Sequence, residues 1–214
     1  MSFFQSPEAH HEAEPGQSGV GETIRTFIYA VVIAFAVRTF AYEPFNIPSG
    51  SMIPTLLIGD YLFVSKFSYG YSKYSIGFGL PLFEGRILGH APRRGDVIVF
   101  KLPRDNKTDY IKRLIGLPGD RIQMINGVLQ INGSPVGMQR LDDISATNHM
   151  GQYVRIAQYI ETLPGGKVHK IYKESMNGVL DNTPIYVVPP KHYFMMGDNR
   201  DLRVNAECRM QNVE

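Results

Sequence analysis

Two serines, Ser49 and Ser51, flank Gly50 inside Pro48-Ser-Gly-Ser-Met-Ile-Pro54. Glycine between prolines holds a backbone in turn-like geometry, which leaves a neighbouring hydroxyl available for chemistry. A serine hydroxyl is a poor nucleophile at neutral pH. It needs a base within hydrogen-bond reach, and donors for the oxyanion that forms when it attacks a carbonyl. The six histidines are His10, His11, His90, His149, His169 and His192, and none accompanies a G-x-S-x-G nucleophile elbow. Lysine is the other base. Lys112 stands among Tyr110, Ile111, Leu114 and Ile115, a run that reads as a buried strand. A lysine in water, with a pKa of about 10.4, is almost wholly protonated at pH 7. Desolvation brings such a group to about 7–8, at a cost of roughly 4 kcal/mol for three units. Periodicity alone puts Lys112 on the face opposite Ile111, where a solvated lysine is the plainer reading, and the Pro-Ser-Gly-Ser turn is equally an ordinary loop. These residues, taken alone, leave the chemistry open.

Four strings change the weight of that evidence. YEPFNIPSGSMIPTLLIGD (Tyr42 to Asp60), RRGDVIVFK (Arg93 to Lys101), DYIKRLIGLPGD (Asp109 to Asp120) and MGDNRD (Met196 to Asp201) together resemble the ordered boxes of the bacterial type I signal peptidases. The resemblance runs from about Arg38 to Asp201. It implies a serine endopeptidase in which Ser51 is the nucleophile, Lys112 the base and Ser49 a hydroxyl donor to the oxyanion. It further implies that Ile47, Pro48, Met52, Leu56, Tyr110 and Ile111 line shallow apolar pockets for small residues at the first and third positions before the cut. The expected substrates are the signal peptides of exported preproteins, cut after Ala-x-Ala. In that family the last box continues with a serine, an aspartate and an arginine that orient the lysine. Here it continues Leu202-Arg-Val-Asn-Ala-Glu-Cys-Arg209, without the serine and aspartate, and Arg209 matches the arginine only if two residues are inserted. Residues 202–214 are therefore expected to be an atypical or truncated tail, and cleavage to be slow.

The elements that must position these residues can be read in order. Met1 to Gly21 is polar and aperiodic, which reads as a disordered tail. Thr26 to Val37 carries no charge, and the apolar character continues past Arg38 to Tyr42. Seventeen residues make about 25 Å of helix against a hydrocarbon core of roughly 30 Å. A core helix, a cleaved secretory signal and a membrane anchor compete for this stretch. Ala34-Phe-Ala36 resembles a cleavage site, but Glu8, Glu12, Glu14 and Glu22 against Arg25 give the wrong charge for a secretory signal. Arg38 can snorkel, and Tyr29, Tyr42 and Phe45 supply interface aromatics. The resemblance, in which a transmembrane helix ends just before the serine box, selects an anchor at residues 22–42. Orientation also rests on the resemblance: a cytoplasmic tail, one pass through the bacterial inner (plasma) membrane, and the bulk of the chain on the periplasmic or outer side.

Beyond the serine box, Tyr61, Phe63, Phe67, Tyr69, Tyr71, Tyr74, Phe78 and Phe83 gather among glycines and serines. They read either as an aromatic core segment or as a surface seated on the bilayer. Asn126-Gly127 and Asn132-Gly133 are hairpin signals between short apolar runs. Such a density of turns predicts a mainly β catalytic domain of curled antiparallel sheets over residues 43–201, with a β elaboration at about 138–184. A net charge of +2 without a basic block excludes a nucleic-acid partner. One cysteine, Cys208, excludes an internal disulfide and a multi-cysteine zinc site, and neither metal nor cofactor is expected. The expected partners are signal peptides and the lipid bilayer, with the chain a monomer. Two other readings stay open here: a self-cleaving serine/lysine peptidase of related fold, and a catalytically impaired membrane-tethered β module that binds exported segments.

Overall fold

A computed structural model describes residues 19–72, 85–105, 107–147, 153–173, 178–200 and 210–212. Internal contacts divide the chain into residues 1–38 and 39–214. The first unit holds nearly all of a single helix, α1 (Val20–Phe40), of 21 residues. After Gly21 its sequence contains neither glycine nor proline, and Glu22 in the first turn and Arg38 in the last complement the helix dipole. None of its residues is buried, although most are apolar. At 1.5 Å per residue it runs about 32 Å, close to the roughly 30 Å of a bilayer's hydrocarbon core, and it is long and apolar enough to cross a membrane.

The second unit is mainly strand, as expected. Pro44 cannot continue a helix, and the chain turns at Ala41 into β1 (Tyr42–Asn46), which pairs antiparallel with β2 (Tyr61–Ser65). A short ribbon of β3 (Tyr71–Ser72) and β4 (Arg86–Ile87) follows. Next come β5 (Val97–Lys101) and β6 (Asp109–Gly116), then the hairpin β7 (Arg121–Ile125) and β8 (Val128–Ile131), and β9 (Ser134–Pro135). The hairpin turns where expected: Asn126 and Gly127 have φ of 48° and 75°, and Asn132 and Gly133 have 56° and 82°, the left-handed pairs that tight turns of this kind require. The elaboration is a sheet of β10 (Gly137–Arg140), β11 (Ile144–Thr147), β12 (Tyr153–Thr162) and β13 (Val168–Lys173). β12 is its spine, with β10 and β11 on one edge and β13 on the other. The chain returns through β14 (Tyr186–Val187) and β15 (His192–Met196) to β16 (Met210–Asn212).

Two sheets carry the core, with strand orders β16-β15-β6-β5 and β14-β7-β8-β9. Ile115, Ile122, Leu129, Leu163, Val188 and Phe194 are buried in one apolar cluster. A second, smaller cluster of Ile47, Met52 and Ile111 draws in Phe45, Leu56, Leu62 and Val99. On β2 the alternation is visible: Leu62 packs inward, while Tyr61 and Phe63 are 82% and 75% exposed. The aromatic positions Tyr74, Phe78 and Phe83 lie outside the described residues, as does the expected break in pattern at Leu202 to Arg209. Met210 to Asn212 pair antiparallel with β15, Asn212 opposite His192.

Asp120 closes the turn that follows β6. Its carboxylate accepts hydrogen bonds from the Leu117 amide at 2.6 Å, Arg94 Nη1 at 2.9 Å and Asn132 Nδ2 at 2.8 Å. Burial pushes the carboxyl up, but these donors outweigh it and hold the group below its ordinary value. A carboxylate depressed in the folded state contributes stability that is fully present above its unfolded pKa of about 3.9, and that is lost as pH falls through the folded value. The Tm difference between wild type and Asp120→Asn should accordingly be clear at pH 7 and shrink below about pH 4. A constant difference from pH 7 to pH 3 would contradict this account.

Candidate active site

Ser51 sits in a single 3-10 turn, Gly50–Met52. The turn is closed by the Ile53 amide on Gly50 O at 3.2 Å, and by Thr55 N and Leu56 N on Met52 O at 2.8 and 3.0 Å. Met52, with no exposed surface, plugs the turn into the smaller core cluster beside Ile111 of β6. Burial of this one apolar side chain fixes Ser51 against the strand, and Ser51 itself is 2% exposed.

Lys112 reaches Ser51 from β6. That strand is paired on both sides, with Ile98 of β5 opposite Lys112 and with β15 along its other edge. Its residues from Ile111 to Gly116 are all buried, so alternation never brings a side chain to water. This decides against the solvated reading of Lys112, which is 5% exposed. Its Nζ donates a hydrogen bond to Ser51 Oγ, and the Ser49 hydroxyl lies 3.3 Å from the same oxygen. Nζ also lies 5.7 Å from the centroid of the Tyr110 ring, which stacks on Phe100 at 6.2 Å. The six expected pocket residues are gathered here in two layers. Ile47, Met52 and Ile111 are buried beneath the turn, Leu56 and Tyr110 are half-buried, and Pro48 is exposed.

The residue next to the lysine builds the support. Arg113 makes a two-pronged pair with Asp198, Nε to Oδ1 at 2.8 Å and Nη2 to Oδ2 at 2.6 Å, and donates through Nη1 to Gly95 O at 2.8 Å. Asp198 also accepts the Thr55 hydroxyl, so one carboxylate ties β6 to the segment carrying Ser51. Asn199 completes the frame, its amide donating to Ser51 O at 3.1 Å and its side chain to Gly50 O at 3.4 Å. The support expected for the lysine after Asp201 lies outside the described residues. Among the described residues Asp198 and Asn199, inside the box that does match, hold Arg113 and the serine turn.

A buried lysine amine on a serine hydroxyl is an arrangement able to activate a nucleophile. Residues 20–202 match the model of one protein family, described as signal peptidase, peptidase S26. The chain belongs to that family. Signal peptidase I of Rickettsia conorii is 43% identical over 184 residues, covering 82% of this chain and 68% of the relative. Signal peptidase I of Rickettsia typhi is 40% identical over 191 residues, covering 85% and 70%. A crystal structure of signal peptidase I from Enterococcus faecalis V583 aligns with 58% of this chain and 97% of its own, at 23% identity and a TM-score of 0.30.

Within this family member a further buried group lies against Asp198. Glu161 of β12 accepts Arg200 Nη2 at 2.5 Å, and His169 of β13 lies between the two carboxylates. Burial pushes the Glu161 carboxyl up, but the Arg200 guanidinium and the neighbouring His169 outweigh it and hold it below the ordinary glutamate value. Sequence reasoning gave Glu161 and His169 no role, because each is an unremarkable polar residue on its own strand, whereas Asp198 and Arg200 lie in the MGDNRD box.

Proposed function

We propose that the chain removes N-terminal signal peptides from exported preproteins, cutting after small residues of Ala-x-Ala type. The observation that carries this is the buried Lys112 amine on Ser51 Oγ, in a chain of the signal peptidase family. Neutral Lys112 takes the proton from Ser51 as Oγ adds to the scissile carbonyl. The Ser51 amide, at the start of its turn where an N–H has no acceptor within the helix, holds the oxyanion together with the Ser49 hydroxyl. The resulting ammonium returns its proton to the leaving amine, which departs and leaves an ester on Ser51. Water then attacks the ester, giving its proton to Lys112, and release of the carboxylate restores the serine hydroxyl. Pro48, Leu56 and Tyr110 form the walls of the pockets for the first and third residues before the cut, backed by buried Ile47, Met52 and Ile111.

In this reading α1 is a single-pass anchor in the inner (plasma) membrane, with the β unit on the periplasmic or outer side. The exposed rings of Tyr61 and Phe63 suit the interface, where amphipathic aromatics are favoured. The test combines activity and location. Full-length protein in detergent should cleave a preprotein with Ala-x-Ala before the cut, and lose at least about 100-fold in kcat/KM when the final alanine is replaced by phenylalanine, a clash that a shallow pocket cannot absorb. It should fractionate with membranes through carbonate washing. Carbonate release of the intact chain would remove the anchor, and equal cleavage of the phenylalanine substrate would remove the specificity.

A further inference from the structure

The sheet of β10 to β13 carries no recognised motif, yet it contacts the candidate active site by main chain and side chain together. Tyr172 N of β13 donates to Asp198 O at 3.0 Å, and Arg200 N donates to Tyr172 O at 2.9 Å, so β13 pairs in parallel with the stretch that holds Ser51. Three residues before Tyr172, His169 stands directly opposite Glu161 across β12 and β13. Both are buried, and both face the same stretch. His169 Nε2 is 3.2 Å from Glu161 Oε2 and 3.8 Å from Asp198 Oδ1 and makes a hydrogen bond to neither. Among the described residues neither ring nitrogen has a hydrogen-bond partner, nor has Arg200 Nη1. A buried imidazole without partners is costly, and one held between two carboxylates is arranged for more than packing.

We propose that Glu161 and His169 are positioning residues for the peptidase site, through which the β12–β13 hairpin holds Asp198, and with it Ser51 and the strand of Lys112, in register. The proposal rests on the proposed function, since it concerns the same site. Its logic is a count of charge. The groups packed here are Glu161 from β12, His169 from β13, Arg113 from β6, and Asp198 and Arg200 from the stretch after β15, with the neutral Thr55 hydroxyl from the serine segment. The two guanidiniums and two carboxylates balance, and the His169 ring fills the space beside both carboxylates, its Nε2 3.8 Å from the Asp198 Oδ1 that accepts Arg113 Nε at 2.8 Å. Removing the ring or the Glu161 charge leaves Arg200, and with it the stretch that carries Asp198, without its support from the hairpin.

The experiment measures kcat, KM and Tm on one preprotein substrate for wild type, His169→Asn, His169→Gln and Glu161→Gln, with Lys170→Ala on the exposed side of β13 as the control. In His169→Asn kcat should fall about tenfold with KM within about twofold, a smaller loss than the roughly hundredfold of a 1 Å misplacement. His169→Gln should behave alike, Glu161→Gln should lower kcat in the same way, and Lys170→Ala should match wild type. If the asparagine variant does not fold, the glutamine variants carry the test. Folded variants with wild-type kcat, or with the loss in KM instead of kcat, would overturn the proposal while leaving the peptidase reading intact. A wild-type protein that cleaves no signal peptide would instead overturn the reading beneath it.

Discussion

Cleavage is expected to vanish in Ser51→Ala and in Lys112→Ala, each with a protein that stays folded. The two side chains form one proton-transfer unit, so removing either should cost nearly as much as removing both, about 10⁴-fold or more in kcat. Lys112→Arg should fail as completely, because a guanidinium keeps its proton and cannot act as the base. Stability should move the other way from activity. Lys112 is a buried amine, and an alanine there removes a polar group whose desolvation opposed folding. Its Tm is expected to equal or exceed that of wild type, less whatever the small cavity costs. Single-turnover kinetics with purified variants and a thermal melt of each would check both halves. Substantial turnover in Lys112→Ala would sink the proposed mechanism.

Asp198→Ala is expected to be the most destabilising of the variants considered. The substitution strips Arg113 of both its carboxylate bonds and leaves a guanidinium unpaired where its side chain is only 5% exposed. Leaving one partner of a buried pair costs about 3–5 kcal/mol. At about 2–4 °C per kcal/mol for a chain of this size, the Tm should fall by roughly 6–20 °C. Activity should fall as well, because Thr55 loses its acceptor and the Asn199 amide its anchored position beneath Ser51. A paired apolar replacement, Arg113→Met with Asp198→Leu, separates the two effects. Stability should largely return, since no charge is left buried alone, while cleavage stays low because the serine segment is no longer tied to β6. A single variant melting within 2 °C of wild type would show that the pair carries little, and a fully active double variant would show that it does not position the site.

Local physics made much of this protein legible in its sequence. Asn126-Gly127 and Asn132-Gly133 specify their turns through left-handed backbone geometry. The apolar stretch after Arg25 is a helix because nothing in it can interrupt one, and Ser51 and Lys112 could be named because ordered boxes of sequence carry them. Other features depend on what lies on the far side of a strand. Period-two alternation cannot distinguish a solvated lysine from one on a strand covered on both faces, and only the pairing of β6 with β5 and β15 and the plug of Met52 settled that Lys112 is buried against Ser51. The pairing of Arg113 with Asp198 joins residues 85 positions apart, and that of Glu161 with Arg200 joins residues 39 apart. Neither leaves a local trace, because the free energy that selects each partner arises only when both are withdrawn from water together. The sequence by itself determined which chemistry is present and that strands would carry it, whereas tertiary structure alone decided which charges stand behind the serine and the lysine, since burial is a property of the assembled sheets.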